Sequence, residues 1–435
     1  QFLRLRHVRH LRGADWTRAG LEDMREMVWS PDFPEYDVLA DHQNSDVVII
    51  GGGVIGSAIA YFLAANPAAP SAITVIERDP TYETASTPRS AGGIRQQFSN
   101  PENIEIGLFG HHFVTHLAEY LSVDGECPDP GFREGGYLFL AGPEGLEVLR
   151  QNHEEQTRHG CGIDLLDLVS LKKQFPWLNL DGIAGAALGT RGEGWLDPNT
   201  LMQAFKRKAR SLGVHYLEGD VIALEHNYSR ISAVVLATGQ RIATGTVVNA
   251  AGANAGKVAA LAGVGLPVSP RKRNVFVFDC RAPLDPAVPL LIDPSGVYVR
   301  PESGGYICGV SPPADQDPDG DTNDLDVEYH WFEEVIWPTL AHRIPAFEAI
   351  KLSGAWAGYY DYNSIDQNGI VGAHPALTNF YFANGFSGHG LQQAPAVGRA
   401  MSELLISGRF RTIDLSRFCF ERFESGALVL ERNIV

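Results

Sequence analysis

The chain has 435 residues, 44% hydrophobic and 20% charged, with 35 basic against 52 acidic side chains and a formal net charge of −17. These are globular proportions with room for two or three cored domains, and the acidic balance argues against a protein that coats nucleic acid or an anionic membrane. Five cysteines (Cys127, Cys161, Cys280, Cys308 and Cys419) include no C-x-x-C pair, which gives no metal motif and fits a reducing compartment.

Residues 1–20 hold Arg4, Arg6, Arg9, Arg12 and Arg18 against a single acid, Asp15. That is the composition of a mitochondrial transit segment, or of a basic surface arm. Residues 31–45, with Pro31 and Pro34, read as a linker. Val47–Ile50 is a β-branched run of the kind found in buried parallel strands. Gly51, Gly53 and Gly56 follow it as G-x-G-x-x-G. Val54 to Ala65 reads as a helix, and Ile73–Ile76 as a second strand ending on Glu77 and Arg78. In that setting the glycines are a dinucleotide fingerprint. Gly51 turns the chain, Gly53 lets backbone approach a pyrophosphate, and Gly56 lets helix and strand pack closely. Val54 and Ile55 open the helix towards the phosphates, and Glu77 suits a ribose. Residues 47–76 carry no charge, but three adjacent glycines and the Pro67/Pro70 break argue against a spanning helix, so no transmembrane segment is expected.

Residues 80–100 form a Ser/Thr/Gly-rich loop that needs a partner to be ordered. Ser86 and Thr87 suit a pyrophosphate, while Gly92 and Gly93 admit a ring edge; a solvated turn is the alternative. Asn103–Tyr120 reads as a helix. Arg133–Leu140 and Gly182–Leu188 read as strands around a helix near Pro143–His159. Thr200–Leu212 is a helix and Val214–Glu218 a third parallel-type strand, with Val221 placed to meet adenine. Ile231–Thr238 and Gln240–Ala243 resemble a hairpin. The strand at Val247 leads into Ala250 and Gly252, either a second close approach to the cofactor or plain helix–sheet packing. Short alternating strands follow: Val275–Phe278, Gly296–Arg300 and Tyr306–Gly309. A polar loop, Pro312–Asp324, and an amphipathic helix, Leu325–His342, complete what reads as a separate substrate domain. The aromatic stretch Ala355–Tyr362 walls a substrate site or fills a core strand. Phe380–Ala383 is a strand. Asn384–Gln393 is a glycine-rich turn that offers Gly388, His389, Gly390, Leu391 and Gln392 to a cofactor. Pro395–Leu405 is a helix. The order Gly-Phe-Ser-Gly-His at 385–389 is not G-x-S-x-G, so a hydrolase nucleophile elbow is absent.

Four of these stretches, in this order, resemble the D-amino-acid oxidase, sarcosine oxidase and dimethylglycine dehydrogenase family of flavoenzymes: the fingerprint with Glu77, the Ser/Thr–Gly loop with Arg95, Val247-Val-Asn-Ala-Ala-Gly, and Gly385-Phe-Ser-Gly-His-Gly. The resemblance covers about residues 46–410. It implies an α/β fold with a discontinuous Rossmann-type FAD-binding domain (46–125, 195–267 and 366–425) after an extension over 1–45. It also implies a D-amino-acid-oxidase-like second domain, α+β with an antiparallel sheet (126–194 and 268–365). The implied chemistry is hydride removal from the carbon beside an amine, in a small amine or amino acid. Arg95 falls where relatives hold a substrate carboxylate, and Tyr359 and His389 fall in the implied catalytic region. Gln392 stands where sarcosine oxidases carry a lysine. Ile307 stands where they carry the lysine that aids reaction with oxygen. Tyr359 lies where some members attach flavin through cysteine, and Arg89 where dimethylglycine dehydrogenases use histidine. These departures imply non-covalent FAD, slow reaction with oxygen, and a protein or quinone carrier as electron acceptor. Pro270-Arg-Lys-Arg, Gln96-Gln-Phe-Ser-Asn-Pro and Ala355-Trp-Ala-Gly-Tyr-Tyr-Asp-Tyr-Asn further resemble a mitochondrial branch of the family that serves assembly of respiratory complex I. That implies the matrix or the periphery of the inner membrane, with complex I subunits or assembly intermediates as partners. It implies no nucleic acid and no metal.

Overall fold

The computed structural model describes residues 44–432, so the arm and linker read over 1–45 lie outside the described residues except for Asn44 and Ser45. The strand Asn44–Ile50 forms because Val47, Val48, Ile49 and Ile50 are buried on both faces, at 0–5% exposure. It pairs in parallel with Ile73–Glu77 on one side and with Arg241–Asn249 on the other. The sheet extends to His215–Glu218 beyond Ile73–Glu77, and to Phe380–Asn384 and then Ile370–Ala373 beyond Arg241–Asn249. All of these neighbours are parallel except the edge strand Ile370–Ala373. Val221–His226 and Ile231–Leu236 join as an antiparallel extension of Arg241–Asn249. The hairpin arm read at Gln240–Ala243 and the strand read at Val247 are therefore one continuous strand; Gly245 does not interrupt it.

Helix Val54–Ala64 is buried over most of its surface and packs against helix Gly390–Ser407. The two backbones nearly touch. A Cβ on Gly398 would lie 2.8 Å from the carbonyl carbon of Ala58.

A second sheet of eight strands runs in the order Ile350–Asn363, Val268–Cys280, Gly305–Gly309, Tyr298–Glu302, Leu290–Ile292, Tyr137–Ala141, Gly185–Gly189, Ile163–Leu166. It is antiparallel except that Leu290–Ile292 runs parallel to Tyr137–Ala141, so the antiparallel sheet expected from sequence is in fact mixed. Its two longest strands pair from Val268 opposite Asn363 to Cys280 opposite Ile350. The aromatic stretch Ala355–Tyr362 is the middle of one of them. One face buries Phe276, Phe278, Val299 and Cys308 against Trp331, Phe332, Ile336 and Leu340. The alternate residues, among them Tyr137, Leu290 and Ile292, gather on the opposite face.

Two helices differ from the sequence reading. The one expected over Asn103–Tyr120 is Pro101–Thr115 followed by Leu117–Leu121. The Thr115 hydroxyl donates to the carbonyls of His111 and His112 just before the break at His116, competing with the helical ladder. The one expected over Leu325–His342 begins only at Trp331, as a π-helical turn to Ile336 that leads into Trp337–Arg343. Pro338 has no N–H to donate into the preceding turn, and the wider π turn accommodates that gap. Among the described residues no helix is long and apolar enough to cross a membrane. The expected class, a Rossmann-type α/β sheet beside a second α+β sheet, holds.

Candidate functional site

The fingerprint folds as its spacing requires. Gly51 has φ +104°, and a Cβ there would come within 2.3 Å of the Ala250 carbonyl oxygen. That close approach joins the first turn to the turn after the strand Arg241–Asn249. At Gly56 a Cβ would fall 1.9 Å from the Gly51 oxygen, so neither glycine admits a side chain. Gly53, by contrast, faces open space: its nearest neighbour would be Thr87 Oγ1 at 3.5 Å. The Thr87 hydroxyl accepts from Val54 N–H at 3.3 Å, which ties the loop to the helix start. Glu77 Oε2 accepts from Gly52 N–H at 2.8 Å and Oε1 from Asp79 N–H at 3.0 Å. Burial nonetheless raises its carboxyl above the usual range.

One cleft is lined by Gly51, Gly53, Val54, Ile55, Glu77, Arg78, Ser86, Thr87, Gly93, Ala250 and Gly252, and equally by Arg95, Tyr359, Gly388, His389, Gly390, Leu391 and Gln392. Three residues singled out from sequence stand elsewhere. Gly56 packs beneath Gly51. Gly92, with φ +78°, sits against the Leu196 carbonyl and is not part of the lining. Val221 opens an antiparallel strand, packs against the core of the first sheet and is not among the lining residues.

Arg95 is 3% exposed. Its backbone N–H donates to Gln392 Oε1 at 2.7 Å, and its Nη2 donates to His389 Nε2 at 2.9 Å. The guanidinium lies over Phe98 at 4.5 Å and faces Phe139 at 5.2 Å. Its other donors have no hydrogen-bond partner, and no carboxylate forms an ion pair with it, among the described residues. Burial, with the Arg95 charge second, pushes His389 down to about 3. The imidazole is therefore neutral near pH 7, with its Nε2 the acceptor of the Arg95 bond. Tyr359 is 3% exposed, packs on Gly320 and is pushed up to about 12 by burial.

Sequence reasoning missed several neighbours. Tyr137 and Tyr298 line the cleft, and burial raises both phenols so that they stay protonated. Leu290, Ile292 and Val275 add apolar wall. Asp361 is buried in the lining, accepts from Phe386 N–H at 3.2 Å and is pushed up to about 6 by burial. The parity of their strands could have marked these positions; their pairing partners could not be read. Ile307 lies between Val277 and Arg300 in the ladder and is not among the lining residues. Among the described residues the lining contains no lysine and no cysteine, and His389 is its sole histidine. Among the described residues no group of His, Cys, Asp and Glu could hold a metal ion.

The cradle fits FAD on its own geometry. Two glycines admit no Cβ because backbone lies against them, one is left open beside Thr87, and an acid and hydroxyls line the same groove. Comparison with known proteins agrees. The family described as "FAD dependent oxidoreductase" (DAO) matches residues 46–404. "FAD-dependent oxidoreductase domain-containing protein 1" of Xenopus laevis is 46% identical over 94% of this chain and 88% of that protein. The Drosophila melanogaster homolog is 38% identical over 90% of this chain and 81% of that protein. The crystal structure of L-proline dehydrogenase from P. horikoshii superposes with a TM-score of 0.77 at 30% identity, covering 89% of this chain and 100% of that one. Glycine oxidase from Geobacillus kaustophilus, at 24% identity and a TM-score of 0.73, shares the fold over 90% of this chain and 100% of that one.

Proposed function

The chain belongs to the FAD-dependent oxidoreductase (DAO) family, an oxidoreductase of the amino-acid-oxidase type, and from that premise we propose that it binds FAD non-covalently and oxidises a secondary amine or N-methyl amino acid held by its carboxylate on Arg95. The observation that carries this reading is a buried cation with free donors on the wall of the fingerprint's own cleft. An unpaired buried charge is costly, and a substrate carboxylate completes it through the guanidinium fork.

Gly51, Gly53, Val54, Thr87 and Glu77 would hold the dinucleotide part of the cofactor, and residues 388–392 its other end. Bound there, FAD supplies a two-electron acceptor for hydride from the carbon beside the amine. His389 holds the Arg95 fork in one orientation. Tyr137 and Tyr298 offer neutral hydroxyls to a neutral amine, and the apolar wall excludes water. Non-covalent attachment is supported by a lining without cysteine and with its one histidine already bonded to Arg95. Arg89 is likewise engaged, donating to the carbonyls of Glu83 and Ala357 at 2.7 and 2.8 Å. A lining without lysine supports slow reaction with oxygen and electron exit to a protein or quinone carrier.

The biological setting we propose is mitochondrial, in the matrix or beside the inner membrane, where the flavoprotein serves assembly of respiratory complex I. The motif resemblance at 96–101, 270–273 and 355–363 supports it. Anaerobic mixing with N-methyl amino acids, proline and D-amino acids tests the catalytic half. Bleaching of flavin absorbance by one of them supports turnover. No bleaching, with complex I intermediates co-purifying, would instead support an assembly role without catalysis.

A further inference from the structure

Beneath Arg95 lies a carboxylate to which no motif points. The short ribbon pairing Gly93–Ile94 with Gly194–Trp195 brings Glu193 under the turn that follows Arg95. Glu193 is 0% exposed. Its Oε1 accepts from the backbone N–H of Gln96 at 2.6 Å and of Gln97 at 3.0 Å. Its Oε2 accepts from the Gln97 side-chain amide at 2.7 Å. The surroundings are moulded to the carboxyl: a Cβ on Gly189 would fall 1.8 Å from Oε2. Burial pushes this carboxyl up to about 7, against the bonds from Gln96 and Gln97 and the charge of Arg95. It therefore changes charge near neutral pH.

Tyr137, Cys161 and His389 do not. Tyr137 faces Glu193 from its strand, and Cys161 from the segment before Ile163–Leu166; burial raises both, Cys161 to about 12. His389, on the far side of Arg95, stays neutral. Glu431 faces Arg95 from the C-terminal segment and supplies a control.

Resting on the reading of Arg95 as a carboxylate anchor, we infer that Glu193 is a proton-linked switch on its anion affinity: a carboxylate binds in the cleft together with uptake of a proton by Glu193. Ionised, Glu193 adds its charge to that of Glu431 facing Arg95 without pairing with it, and a ligand carboxylate adds further negative charge to a buried site. Protonated, it leaves the Glu431 carboxylate as the remaining acid facing Arg95, and the ligand carboxylate takes the place of the Glu193 charge. Protonation spares the turn. Oε1 keeps both backbone bonds, and the proton on Oε2 is donated to the Gln97 amide oxygen once that amide turns over, which gives up the amide's bond to the Tyr137 carbonyl at 3.3 Å. Glu193→Gln reproduces this neutral arrangement.

The test is calorimetry of the holoprotein with pyrrole-2-carboxylate, a planar carboxylate without an oxidisable amine carbon, from about pH 6 to about pH 8.5, in buffers of different ionisation enthalpy. A coupling of one pKa unit corresponds to about tenfold in affinity. The expected result is proton uptake on binding and a Kd that rises about tenfold with pH. Glu193→Gln should bind at about pH 8.5 as tightly as wild type does at about pH 6, without proton uptake. Glu431→Gln should keep the wild-type pH dependence. Binding to wild type without proton uptake overturns the inference alone, and that measurement decides even if Glu193→Gln fails to fold. A Glu193→Gln protein with unchanged pH dependence also overturns it. Absence of binding at every pH removes the Arg95 reading and this inference with it.

Discussion

Arg95 is a cation that the fold encloses between Phe98 and Phe139 with an imidazole, not an acid, in contact. Replacing it with glutamine removes charge-assisted bonds worth about 1.5–3 kcal/mol, so pyrrole-2-carboxylate should bind roughly 10- to 150-fold more weakly while flavin content is retained. Titration of both proteins checks this. Asp361 makes a stability prediction. Its folded pKa, about 6, lies above the ordinary carboxylate value, so the folded state holds a proton that the unfolded chain gives up. Its contribution is full below the unfolded pKa and is lost as pH rises through about 6. Asp361→Asn should therefore raise Tm relative to wild type at about pH 8 and not at about pH 4, by at most about 3 kcal/mol equivalent. An equal effect at both pH values would contradict the burial cause. Arg95 and His389 were legible because each sits inside a motif. Glu193 was not, because 97 residues separate it from Gln96 and only strand pairing joins them.

At the scale of elements, the approach of helix Gly390–Ser407 to helix Val54–Ala64 fixes where the fingerprint helix points its N-terminus. Gly398→Val must push the backbones apart, and overpacking of this kind costs about 1–3 kcal/mol. A lower Tm together with faster loss of FAD is expected; a lower Tm with unchanged FAD retention would show that the crossing does not position the fingerprint. The loop between Ser311 and Asp326 is held by charge more than by apolar burial. Arg273 pairs with both carboxylate oxygens of Asp317 at 2.7 and 2.8 Å, Lys272 with Asp324 at 2.7 Å, and Arg271 with Asp319 at 3.1 Å. Thr322 is its buried anchor, 2% exposed and in the cleft lining. Asp317→Asn, or high salt, should speed hydrogen exchange of amides in 312–326 while the strand Val268–Cys280 stays protected. Strands with a long apolar run were readable in the sequence. Leu290–Ile292, Ile370–Ala373 and Ile163–Leu166 were not, because three or four residues carry no period and owe their conformation to their neighbours.

At the scale of the molecule, the two sheets and the turns at their ends share one cleft, and segments far apart in the chain line it together. The order of the four glycine-bearing motifs made this much of the fold legible, since each needs backbone close to the same ligand. The parallel pairing inside the second sheet, the π turn before Pro338 and the packing of Val221 on the core rather than in the cleft lining depend on tertiary packing that no local pattern records. The central claim is that the cleft holds FAD without a covalent bond. Denaturing the purified protein and passing it through a membrane that retains the polypeptide tests it most directly. A yellow filtrate identified as FAD, in about one equivalent per chain, is the expected result. Yellow colour retained with the polypeptide would contradict non-covalent binding, and a folded protein that is colourless and takes up no added FAD would contradict the cofactor site itself.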